Sequence, residues 1–152
     1  MRGYIYQDRT FWNMAVFREP QRRGNNLESF INANKYGEKL PADRIALELL
    51  RSGLGPVRIA YAMGLDETTA VHDWAEGLGA PSSAQRERLD LLYDALITFS
   101  KTEALDTAVA LVIGLNPDLG DRSIIRLIKE SNDVVSARKE VMNAIYTYFG
   151  KN

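Results

Sequence analysis

The chain contains no cysteine and a single histidine, His72. The first absence excludes disulfide scaffolds, Fe–S clusters, zinc fingers and thiol nucleophiles. The second leaves histidine-dependent triads and metal sites without their usual members. Long apolar runs are also missing. The longest, Ala108 to Leu115, falls far short of the roughly 20 residues that span a bilayer. The first residues, which include Asp8 and Arg9, lack the apolar centre of a secretory signal. The expectation is a soluble cytoplasmic protein with no membrane contact, no metal and no cofactor. Neither charge sign is in excess: 19 Lys and Arg stand against 20 Asp and Glu, for a net charge of -1. Bulk attraction to nucleic acid or to an anionic membrane is therefore excluded, and any such contact must come from a local patch.

What is present is ordinary globular material. The 152 residues suffice for one domain or two very small ones, with 45% hydrophobic and 26% charged residues. Residues 1–40 differ from the rest. They carry Arg2, Arg9, Arg18, Arg22, Arg23, Lys35 and Lys39 against Asp8, Glu19, Glu28 and Glu38, and they hold Tyr4, Tyr6, Phe11, Trp12 and Phe17. Tyr4-Ile5-Tyr6 and Thr10-Phe11-Trp12 flank a polar Gln7-Asp8-Arg9 that can turn a short hairpin. The segment Glu19 to Asn26 reads as a loop, because its Pro and Gly break regular structure and its Asn residues favour turns.

From residue 41 the pattern becomes helical, with little strand-like alternation. One helix begins at Pro41-Ala42-Asp43 and stops at Ser52-Gly53. A second starts at Pro56, where a missing N–H costs least, and ends at Gly64. Further helices fit Glu67–Glu76, Gln85–Phe99, Leu105–Ile113 and a short stretch after Ser123. A final one places Val134, Ala137, Val141, Ile145 and Tyr148 along one stripe, which suits a core or a self-association face.

Pro56 to Glu76 is the most informative stretch. A helix-turn-helix needs a small residue in its first helix, a Gly at the turn and spaced apolar residues on the inner face of its second helix. Ala60, Gly64 and the Val71/Trp74 pair approximate this, with Leu65 as an apolar plug. The Gly64-to-Val71 spacing is one residue longer than the common pattern. Thr69, His72, Asp73 and Glu76 fall on the side that faces a major groove, where the acids Asp66, Glu67, Asp73 and Glu76 repel phosphate. Small residues and a Trp at these intervals also occur in any small helical bundle, so both readings stand. Arg58, Thr68, Thr69, His72, Asp73 and Arg86 are the expected DNA-contacting residues.

Val71-His72-Asp73-Trp74-Ala75-Glu76-Gly77, followed by Gln85-Arg86-Glu87-Arg88-Leu89, resembles the Xre-type helix-turn-helix of bacterial antitoxins paired with RES-domain toxins. Leu115-Asn116-Pro117-Asp118-Leu119-Gly120-Asp121-Arg122-Ser123, followed by Ile124-Ile125-Arg126-Leu127-Ile128, resembles the toxin-binding domain of the same family. The likeness covers roughly residues 45–149, in the family's order. Ile124 stands where the family often has Pro, Val112 stands near where an aromatic often precedes Asn-Pro, and residues 1–40 have no counterpart in it.

The helical pattern predicts an all-α fold from residue 41 onward, after an irregular aromatic arm at 1–40, and the resemblance implies an Xre-like helix-turn-helix bundle at 41–100 followed by a small helical toxin-binding or dimerisation domain at 101–152. It implies an antitoxin, a homodimer that covers the active site of a NAD-consuming RES toxin and binds its own operator DNA. Asn116, Pro117, Arg122 and Arg126 are the toxin-contacting residues in this reading, although Arg122 serves equally well as a tie between the loop and its own domain. The alternatives are a helix-turn-helix DNA-binding regulator without a toxin partner, and an enzyme. Against the enzyme, no pair of carboxylates forms a recognisable acid/base arrangement, and Gly53-Leu54-Gly55-Pro56 does not match a phosphate loop.

Overall fold

The computed structural model describes residues 26–151. The hairpin expected at Tyr4–Trp12 and nearly all of the Glu19–Asn26 loop lie outside them. Eight α-helices dominate the described residues: α1 (Leu27–Ala33), α2 (Ala42–Arg51), α3 (Pro56–Met63), α4 (Thr69–Ala75), α5 (Ser83–Phe99), α6 (Leu105–Ile113), α7 (Ile124–Glu130) and α8 (Val134–Lys151). None is long and apolar enough to cross a membrane. The fold is thus mostly helical, as expected.

Two stretches depart from expectation. Residues 27–39 belonged to an arm expected to be irregular, yet they form α1 and a 3₁₀ turn, Gly37–Lys39. The cause is local and tertiary together. Asn26 caps α1 by accepting the N–H groups of Glu28 and Ser29 at 2.7 and 3.2 Å. Phe30 and Ile31 are buried, and the Phe30 ring meets Tyr146 and Phe149 of α8 edge-on at 5.0 and 6.1 Å. The second departure is a two-stranded ribbon, β1 (Leu115–Asn116) against β2 (Arg122–Ser123), antiparallel with Leu115 opposite Ser123.

Helix α5 organises everything else. It begins at Ser83, two residues before the expected Gln85, behind a capping box. Ser82 Oγ accepts the Gln85 N–H, and Gln85 Oε1 accepts the Ser82 N–H. From Leu91 to Phe99 every residue is buried, so this helix lies in the middle of the molecule, contacted by α2, α3, α6, α7 and α8. Burying a large apolar side chain stabilises by about 1.5–3 kcal/mol, and α5 supplies Leu89, Leu91, Leu92, Leu96, Ile97 and Phe99 to the core. One continuous core joins Ile45 and Leu49 of α2 to Val141 and Ile145 of α8.

Around this axis, α4 packs on α2, α3 packs on α7, and α1 packs on α8. The first helix of the expected helix-turn-helix therefore rests on the helix that follows the Asn116–Ser123 loop.

Candidate functional site

From Pro56 to Ala75 the chain forms two helices, α3 and α4, joined by a turn. Gly55 at φ 91° leads into Pro56, the first residue of α3. At the other end Gly64 takes the left-handed conformation, φ 79°, ψ 24°. Its N–H bonds Tyr61 O at 3.0 Å, while Leu65 N–H bonds Ala60 O at 2.9 Å. This doubled closure is a Schellman motif, and it needs glycine because an L side chain is strained at that φ. On α4, Val71 and Trp74 are buried against the core, whereas Thr69 and His72 are exposed and Asp73 is half-buried. Thr68 precedes α4 without a side-chain cap bond.

The outer side of this pair is acidic. Asp66, Glu67 and Glu76 are exposed around His72, and Thr69 Oγ1 donates to Glu67 Oε1 at 3.2 Å. A phosphate approaching α4 would meet carboxylates before any cation. Arg58, exposed on α3, turns part of its guanidinium back to Leu54 O at 3.3 Å.

Arg86, also expected at DNA, is occupied elsewhere. Its Nε donates to Asp90 Oδ1 at 2.7 Å, and its Nη2 donates to Gly37 O at 2.8 Å and to Leu40 O. It ties the 3₁₀ turn to α5, a role invisible to helix periodicity because both carbonyls lie more than forty residues upstream.

The Asn116–Ser123 loop is tightly constructed. The Asn116 side chain accepts the Asp118 N–H at 2.8 Å, and Pro117 opens the 3₁₀ turn Pro117–Leu119. Leu119 is buried, Gly120 and Asp121 have φ of 69° and 63°, and Asp121 N–H returns to Asn116 O at 3.0 Å. Ser123 then caps α7 by accepting the Arg126 N–H at 3.1 Å. Leu115, opposite Ser123, is 75% exposed.

The two arginines of this segment differ in kind. Arg122 Nε donates to Leu119 O at 3.0 Å, and its Nη atoms stand 3.8 Å from Glu130 and 3.6 Å from Glu140. It bridges the loop, α7 and α8. Arg126 is 52% exposed and pairs with Glu130 at 2.7 Å on its own helix; that hydrogen bond holds the Glu130 carboxyl below its usual pKa. Of the four residues expected at a partner, Asn116, Pro117 and Arg122 thus shape the loop, while Pro117 and Arg126 are the two exposed to solvent.

One polar cluster escaped the sequence reading. Asp94 is fully buried in α5 and accepts the N–H groups of Tyr36 and Gly37 at 2.9 and 2.7 Å. Its other oxygen accepts Arg138 Nη2 of α8 at 2.7 Å. Burial pushes its carboxyl up to about 6, against the opposing pull of Arg138 and the Gly37 N–H. The available signal was a lone acid inside Leu91-Leu92-Tyr93-Asp94-Ala95-Leu96-Ile97. Among the described residues no group of three or more His, Cys, Asp or Glu is placed to hold a metal ion.

Comparison with protein-family models, with curated proteins and with solved structures found no match.

Proposed function

We propose that this chain is an antitoxin, a helical binding protein that neutralises a RES-type, NAD-consuming toxin by covering its active site. The observation that carries this reading is the Leu115–Ser123 unit. A loop braced by Asn116, Pro117 and Arg122 and docked on α7 and α8 presents Leu115, Asp118 and Asp121 to solvent without internal freedom. Such a loop loses little conformational entropy when a partner closes on it. The two family-like segments quoted above, in the family's order, support the choice of partner. In this reading the protein acts in the cytoplasm as a homodimer and performs no chemistry of its own.

Operator binding is the weaker half of the reading. The α3–α4 pair has the turn of a helix-turn-helix, which also favours the second reading, a DNA-binding regulator without a toxin. The carboxylates around α4 and the structural role of Arg86 weigh against tight contact with phosphate. DNA contact then depends on Arg58, Thr68, Thr69 and His72, assisted by a second copy or by the bound toxin.

The test is co-expression with a RES-domain protein, the one to be sought in an adjoining reading frame. The expected result is growth rescue, preserved cellular NAD and co-purification of the two chains. Promoter binding by this chain together with failure to capture or neutralise that protein would overturn the antitoxin reading in favour of the regulator.

A further inference from the structure

The outer face of α3 carries apolar side chains. Ile59, Ala60, Ala62 and Met63 are buried, while Val57, at 71% exposure, and Tyr61, at 37%, lie one turn apart on the outer side with exposed Arg58 between them. Because α3 packs on α7, this face continues onto that helix. Lys129 Nζ lies over the Tyr61 ring, 5.4 Å from its centroid. Arg126 is near enough to Tyr61 for the two to interact electrostatically. Neither Arg58 nor Lys129 has an ion-pair partner among the described residues. Glu130, the acid nearest this face, is engaged by Arg126 at 2.7 Å.

We infer that Val57, Arg58 and Tyr61 of α3, with Arg126 and Lys129 of α7, form a docking surface for an acidic segment of a partner protein that carries an exposed apolar side chain. Charge complementarity sets the sign of the partner. Cations without ion pairs among the described residues flank two apolar side chains, so the complementary surface has carboxylates around an apolar knob. A nucleic-acid backbone fits less well. It offers no apolar group to cover Val57 and Tyr61, and the Glu130 carboxylate beside Arg126 repels phosphate. Tyr61 is the natural anchor, since its ring already lies beneath a cation and remains 37% exposed.

This inference rests on the antitoxin reading, with the captured RES-domain protein as the occupant. It extends the contact from the Asn116–Arg126 segment onto the helix-turn-helix. The full chain would be titrated with the catalytically inactive RES-domain protein while the dissociation constant is measured calorimetrically. Tyr61→Ser, and Arg58→Glu combined with Lys129→Glu, should each weaken binding at least tenfold, whereas Tyr61→Phe and Lys129→Arg should stay within about twofold. All are surface substitutions, and circular dichroism confirms that each variant keeps wild-type helicity. Wild-type affinity should also fall as ionic strength rises.

Wild-type capture that is insensitive to both substitutions, or to salt, overturns this inference and leaves the antitoxin reading standing. No capture by the wild type overturns both. Variants that retain capture but lose binding to a promoter fragment show a phosphate contact instead, which likewise overturns the inference.

Discussion

Asp94 and Arg138 face each other at 2.7 Å across α5 and α8, with the N–H groups of Tyr36 and Gly37 closing on the other oxygen of the carboxylate. Three separate parts of the chain therefore converge on one carboxylate. Arg138→Met should cost about 3–5 kcal/mol at neutral pH, because it leaves a buried charge without its partner. Urea denaturation measures this, and the loss should shrink in acid as Asp94 takes up a proton.

The same pair sets a pH dependence. The folded-state value of about 6 for Asp94 lies above the ordinary 3.8, so the folded protein binds this proton more tightly than the unfolded chain does. The stability contributed by protonation is fully present below 3.8 and is lost as pH rises through about 6. It amounts to roughly 3 kcal/mol over that interval. The charged groups acting on Asp94 are Arg138 from α8 and Asp90 one turn back along α5, and Asp90 in turn is paired with Arg86 and feels Glu38 of the 3₁₀ turn. Exposed Glu130 and Asp133, whose values are lowered, act in the opposite sense. Asp94→Asn removes this titration, so the stability of the variant relative to wild type should rise by up to about 3 kcal/mol between pH 4 and 7, an effect read from unfolding midpoints. A difference that grows in acid with the opposite sign would refute this assignment.

Arg86 illustrates how a residue's role stays hidden in one dimension. Its place near the start of α5, shortly after the α3–α4 pair, made it a basic side chain within reach of phosphate. What redirects it is the return of residues 37–40 to the same helix, set by Asn26, Phe30 and Asp94 together. Local signals were readable where the cause was local: Pro56 starting α3, Gly64 closing it, and Val71 and Trp74 turned inward. Helix α1 was not readable, because its apolar residues become a face only once Tyr146 and Phe149 lie opposite. Arg86→Ala should accordingly lower stability by about 1.5–3 kcal/mol through lost charge-assisted bonds. Arg58→Ala should leave stability within about 0.5 kcal/mol, and thermal unfolding distinguishes the two.

Tyr148 donates a hydrogen bond to Glu103, and its ring packs edge-on against Phe99 at 5.4 Å. That bond to a carboxylate, with burial adding to it, pushes the phenol up to about 12 from 10.0. Alkaline titration followed by ultraviolet absorbance should show a late-ionising tyrosine that disappears in Tyr148→Phe and moves toward the ordinary range in Glu103→Gln. The stability linked to this group is present below pH 10 and declines as the pH rises toward 12. A titration curve unchanged by either substitution would place the hydroxyl elsewhere.

The partner contact on the Asn116–Arg126 segment is tested by separating its two arginines. Arg122 is bound to Leu119 O and lies close to Glu130 and Glu140. Removing it should loosen the loop, lower stability by about 1–2 kcal/mol and weaken capture indirectly. Arg126 makes one ion pair on its own helix and projects half-exposed. Arg126→Ala should leave the unfolding midpoint unchanged while weakening capture of the inactive RES-domain protein about tenfold, the scale of one lost charge-assisted bond at an interface. Thr69→Ala and His72→Ala should leave capture intact, because both lie on α4, which packs on α2 and away from the loop. If Arg126→Ala binds as wild type while Arg122→Ala loses both stability and capture, Arg126 is excluded from the interface and the loop itself carries the contact. Reduced capture by Thr69→Ala or His72→Ala would extend the interface onto α4.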